Sequence, residues 1–139
     1  MADIVMTATQ VAVIFPAKAD IHDYIATETI TKGQAVYILT TGKIGVADAN
    51  AAGKQQFRGI ALSGGGAGQG VSVLHRGHVF GYTVSGLNAN VLAYLSDTAG
   101  ALGDGVGTMT VPVGRIVSLS DNSLTKVLFI DVQWTTTWA

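Results

Sequence analysis

Apolar and polar positions in this chain alternate over short runs broken by glycine, and almost nowhere do they fall into helical stripes. From Tyr24 the pattern is extended, with Ile25, Thr27 and Thr29 against Ala26, Glu28 and Ile30, and Thr31 to Gln34 reads as a turn. Ala35 to Thr40 and Lys43 to Ala47 form a hairpin around Thr41-Gly42. Asp48 to Gly53 suits a single helical turn capped by Asp48. Phe57 to Leu62 is a strand, followed by the glycine loop Ser63 to Gly70. Val71 to Arg76 and His78 to Val84 follow as strands divided by Gly77. Within the second of these, alternation predicts Phe80 and Tyr82 inward. The remaining strands are Val91 to Leu95, Met109 to Val113, Gly114 to Leu119 and Lys126 to Trp134, with a turn at Ser120 to Ser123.

Several of these phrases occur twice. Ala35-Val36-Tyr37-Ile38-Leu39 returns as Leu92-Ala93-Tyr94-Leu95-Ser96, Arg58-Gly59-Ile60 as Gly114-Arg115-Ile116, and Val71 to His75 as Lys126 to Ile130. Two copies are too few for a solenoid, whose faces need several stacked repeats. The expected fold is therefore all-β, a single compact β-barrel or β-sandwich built from two similar strand sets. Residues 1–22 stand outside the repeat: Ile4 to Phe15 fits neither period and stops at Pro16, so an extended N-terminal arm is expected, with the β domain over 23–139.

Composition sharpens this. With 139 residues the chain can bury a core of its own, and without cysteine it has neither disulfides nor thiolate metal sites. The one early apolar run, Val11 to Phe15, is too short for a signal core or a membrane span, so a soluble protein is expected. Charged residues make up only 12%, against about 25% in an average domain. Charge normally defends a surface against association, so its scarcity points to a surface covered by other subunits. The net charge is −1 and the eight cations are scattered singly, which argues against direct nucleic-acid binding.

No reactive constellation emerges. The glycine loop 64–70 has no G-x-G-x-x-G register, no following Gly-Lys-Ser/Thr and no following helix for an anion. His75 and His78 sit at an odd offset on a strand and point to opposite faces, which does not suit a metal. A nucleophile elbow is missing, and the acidic residues are spread thinly. The chain is read as a non-enzyme with no cofactor, metal or catalytic residue. Its candidate functional residues are instead the apolar ends: Ile4, Val5, Met6, Val11, Val13, Ile14 and Phe15 in the arm, and Trp134 and Trp138 in the tail. Burying one indole on a partner contributes about 4–6 kcal/mol before ordering costs, enough to hold a short tail.

The wording Glu28-Thr29-Ile30-Thr31-Lys32-Gly33-Gln34-Ala35-Val36-Tyr37, with Lys43 to Ala49, Gly59 to Leu62, Gly68 to Val73, Tyr94-Leu95-Ser96 and Gly114-Arg115-Ile116, resembles the decoration, or cement, proteins of tailed-bacteriophage heads. The resemblance spans roughly residues 28–133. It implies a β-rich virion protein, made in the host cytoplasm, that binds the outer capsid surface, bridges major capsid protein subunits and associates as a homotrimer. The alternative reading is a phage tail or head-fibre module that recognises a partner or a glycan. Neither implies contact with nucleic acid or membrane.

Overall fold

A computed structural model describes residues 2–119 and 125–139, so the turn expected at Ser120 to Ser123 lies outside the described residues. Ten strands form within them: β1 (Ala12–Ile14), β2 (Asp20–Ile25), β3 (Ala35–Ile38), β4 (Ile44–Val46), β5 (Phe57–Ala61), β6 (Gly70–Phe80), β7 (Leu92–Leu95), β8 (Leu102–Gly103), β9 (Pro112–Ser118) and β10 (Lys126–Asp131). They make one antiparallel sheet curled into a half-barrel, with 43% of residues in strands and 5% in helix, so the all-β expectation holds. The Asp48 turn is not helical. The Asp48 carboxylate accepts from the Asn50 N–H at 2.9 Å, and Gly53 turns the chain at φ +88°.

The sheet order β4-β3-β5-β6-β10-β9-β7-β8 is one four-strand path read outward twice from the β6–β10 pair. The duplication thus covers four strands per copy, one more than the sequence echo suggests. The structure also sets its register. In the first copy Val36 faces Gly59 and Tyr37 faces Phe57; in the second Ala93 faces Gly114 and Tyr94 faces Pro112. Both copies carry a bulge at this point, and Gly59 corresponds to Gly114, one position off the match of Gly59 with Arg115 implied by the sequence alone. Each glycine lies against a partner-strand carbonyl. A Cβ on Gly59 would come 2.7 Å from Leu74 O, and one on Gly114 would overlap Phe129 O.

Strand β6 is shared by both copies. Its first half runs between β2 and β5, and its second half between β1 and β10. The handover falls at His75. Ile21 pairs with Leu74 and Asp20 with Arg76, so His75 is the extra residue of a bulge, while on the other edge Leu74 still pairs with β5 and Arg76 already pairs with β10. Beyond the strand, Gly81 at φ +104° breaks the alternation. Phe80 follows the β6 alternation outward beside buried Val79 and is 51% exposed, contrary to the sequence expectation, while the break at Gly81 turns Tyr82 inward as expected, where it donates to Gly33 O at 2.6 Å.

Residues 2–7 are laid back on the body. Ile4 N–H donates to Leu102 O at 2.8 Å, Thr83 N–H to Val5 O at 2.8 Å and Thr7 N–H to Gly81 O at 2.9 Å. The expected boundary between residues 22 and 23 falls inside β2, which pairs with β6 along its whole length. The accessible surface is 6733 Å², close to the roughly 6,800 Å² expected of a compact 14.3 kDa monomer, whereas a projecting arm would add to it.

The close approach at Gly114 yields a test. Gly114→Ala is expected to lower unfolding free energy by about 1–3 kcal/mol or more through backbone displacement. Gly42→Ala, with no atom within 4 Å of the new Cβ, is expected to cost about 1 kcal/mol from its left-handed backbone alone. Urea midpoints at unchanged slope measure both.

Candidate functional site

Each copy presents two sheet faces, and their fates differ. In the first copy Ala35, Phe57, Ile60 and Leu74 lie on one face and enter the main core, while Val36, Ala61 and Val73 lie on the other and pack with Ala26 and Ile30 in a second core. In the second copy Ala93, Leu95, Ile116 and Leu128 enter the main core. The positions matching Ala35, Phe57, Ile60 and Leu74 are Leu92, Pro112, Arg115 and Phe129, as the pairings Leu92↔Arg115, Tyr94↔Pro112 and Phe129↔Arg115 show. These four, with Thr136 and Trp138 from the tail, line an open cavity of about 340 Å³. One surface type is thus fully buried in the first copy and only partly covered in the second, where Leu92, Pro112 and Phe129 are half-buried and Arg115 is exposed.

The open face extends across the sheet. Cross-strand register sets Ile14, His78, Phe129, Arg115 and Leu92 in a single row over β1, β6, β10, β9 and β7. Phe15, held at φ +56°, meets the His78 ring edge-on at 5.5 Å, and His78 lies 4.9 Å from Phe129. The Arg76 guanidinium is 5.8 Å from the Phe129 ring centre and 3.8 Å from the Asp131 carboxylate. Arg115 donates to Asn90 O at 2.7 Å. Aromatic rings interleaved with arginine, and few other charges, are what protein-binding surfaces concentrate at their centres.

The tail borders this face because β5 and the two residues before it hold it. Arg58 donates to Thr136 O at 2.9 Å and to Gln133 O at 3.4 Å. The Gln56 amide both donates to Trp138 O (2.6 Å) and accepts from Trp138 N–H (2.9 Å), and Gln55 adds a bond to Trp138 O at 3.1 Å.

Beneath the tail sits His75, fully buried. Its Nδ1 is 2.6 Å from Arg58 O, an acceptor only, so Nδ1 carries the proton and Nε2 accepts from the Tyr24 hydroxyl at 2.7 Å. Trp134 packs on the imidazole at 4.5 Å. Burial pushes His75 below the ordinary histidine range and His22 adds to this, while Arg58 O and the Asp20 charge oppose it. Burial, then the Asp20 charge, pushes the Tyr24 phenol up, so the donor stays protonated. Burial and Lys18 lower His78 as well. Among the described residues no group of three or more His, Asp or Glu side chains could hold a metal ion.

The sequence-derived interface residues therefore separate. Ile4 and Val11 are buried in the protein's own core, so both are corrected: an atom already packed against its own chain has no surface left for a partner. Met6 and Val13 are partly buried and pack on that core. Val5 remains 65%, Phe15 47% and Trp134 51% exposed. Ile14, Phe15 and Trp138 reach the open face, and Trp134 caps His75. Sequence reasoning missed Leu92, Arg115 and Phe129; matching glycine to glycine in the two copies would have exposed them. No family model, curated protein or solved structure matches the chain.

The histidines carry a pH signature. Because burial favours their neutral forms, folding should be fully stable above the ordinary histidine pKa of about 6.5 and lose stability as pH falls below it, where the unfolded chain takes up protons the folded chain resists. The melting temperature is expected to hold from pH 8 to 7 and fall towards pH 5, with a shallower fall in His75→Gln/His78→Gln. Tyr24→Phe, which strips buried Nε2 of its donor, should cost about 1–3 kcal/mol in urea unfolding.

Proposed function

We propose that this chain is a structural, non-enzymatic virion protein, a decoration subunit that binds the outer capsid surface of a tailed phage and bridges major capsid protein subunits. The second-copy face carries the reading: the fold buries this surface in one copy and leaves it only partly covered, enriched in Phe, Trp and Arg, in the other. The resemblance over residues 28–133 supplies the identity of the partner. The sparse charge suits a surface destined for a protein neighbour.

The mechanism is mass action. A ligand that binds the assembled shell and not its separated subunits stabilises the shell by RT ln(1 + [L]/Kd), about 2.7 kcal/mol per site at a hundredfold excess over Kd. The rigid sheet holds its contact row in place before binding, so little ordering entropy is lost. Phe15, exposed Val5 and Trp134 extend the contact beyond the sheet.

Purified protein mixed with expanded capsids should co-sediment and raise the shell melting temperature. Phe129→Ala/Arg115→Glu is expected to weaken that binding at least tenfold with the β circular dichroism intact. Equal binding by the variant removes the face from the argument. Failure of the unaltered protein to bind heads, with labelled copies found at tails in electron micrographs, replaces the decoration reading with the tail or fibre reading.

A further inference from the structure

The Trp134 and Trp138 side chains pack on His75 and on the core, but the hydrogen bonds that reach the tail from residues 55–58 all engage its backbone. Gln55, Gln56 and Arg58 make five hydrogen bonds to the segment, and every atom they engage is main-chain: Gln133 O, Thr136 O, Trp138 N and Trp138 O. Contacts of this kind hold an extended peptide whichever chain it belongs to. The same segment from a neighbouring copy would satisfy every donor and acceptor in the cradle.

The chain also has a hinge at the right place. Val132 N–H donates to His75 O at 3.0 Å, which pins the chain through residue 132. Immediately after it the tail doubles back through a turn in which Thr136 N–H donates to Gln133 O at 3.1 Å. Opening that single turn redirects the tail without disturbing any strand. The folded-back state carries a defect as well: the Trp138 indole N–H is buried and meets no acceptor among the described residues. An orphaned buried donor costs about 1–3 kcal/mol in either seat, so it eases release of the tail without favouring one seat over the other.

We infer that the Gln55–Gln56–Arg58 cradle accepts the C-terminal segment of a second copy of this chain, so that neighbouring copies exchange tails. Exchange of an identical element is a low-cost route to association, since the contacts within each seat are conserved. Reach limits the geometry. Residues 133–139 span at most about 25 Å when extended, so the donor must pack directly beside the cradle, next to the open face.

Complementation tests this without any capsid, so its outcome is independent of the decoration reading. One variant, Gln56→Ala/Arg58→Ala, keeps the tail and loses the cradle; another ends at Val132, keeping the cradle and losing the tail. Light scattering after size exclusion is expected to show unaltered chains associating as concentration rises, each variant alone at single-chain mass, and the mixture forming complexes of one copy of each. Should circular dichroism show that either fails to fold, Gln56→Glu and Trp138→Pro replace them. An unaltered chain that stays monomeric at high concentration, a mixture that forms no complex, or variants that associate alone as well as the unaltered chain does, would each overturn the inference.

Discussion

The fold depends on satisfying one buried imidazole. His75 is the residue at which β6 leaves β5 and β2's regular register and takes up β10, and its ring has no solvent to fall back on. It therefore needs a donor and an acceptor from its surroundings, and it draws one from each flank: the Tyr24 hydroxyl on β2 and the Arg58 carbonyl on β5. Its own carbonyl takes the Val132 N–H beyond β10. Three segments are thereby tied at the one point where the two strand sets meet. A polar group left half-satisfied in such a place costs more than an apolar side chain would, so the junction is specific as well as stable.

From that junction follows the uneven treatment of the duplicated faces. Two similar four-strand sets joined through one long strand cannot each bury both faces within a single chain. The first set is sandwiched between the second set and the segment carrying Ala26 and Ile30; among the described residues the second set has no such cover. The residues answer to this difference: Ile60 of the buried face is Arg115 on the open one, and Leu74 is Phe129. Arginine brings solubility to an exposed sheet, and the phenylalanine beside it retains contact area for a partner. The tail, held by Arg58 from the first set, lies along the border of this surface and links it to the His75 junction.

The readable parts of the fold are those governed by local pattern. Hairpin β3–β4, strands β5 and β7, and the duplication itself were legible because period-two alternation and glycine turns act over a few residues. Phe80 and Tyr82 part because the positive-φ Gly81 between them breaks the alternation that would set both on one face. The site was legible only in part. Phe15 and Trp138 stood out as unaccounted-for aromatics, and both border the open face. Ile4 and Val11 looked equally unaccounted for, yet they fill the protein's own core, since apolarity alone does not say whose core a residue enters.

The sequence by itself determined that this is a duplicated, sparsely charged, glycine-punctuated β protein, because composition, alternation and repetition are properties of neighbouring residues. Tertiary structure alone decided the rest: the one-residue register between the copies, the placing of His75 on a bulge, the docking of both ends, and which of two equivalent faces stays open. Each of these depends on pairings between residues far apart in the chain. There, the bulk of a carbonyl against a glycine or the demand of one buried nitrogen selects among alignments that local pattern leaves equal.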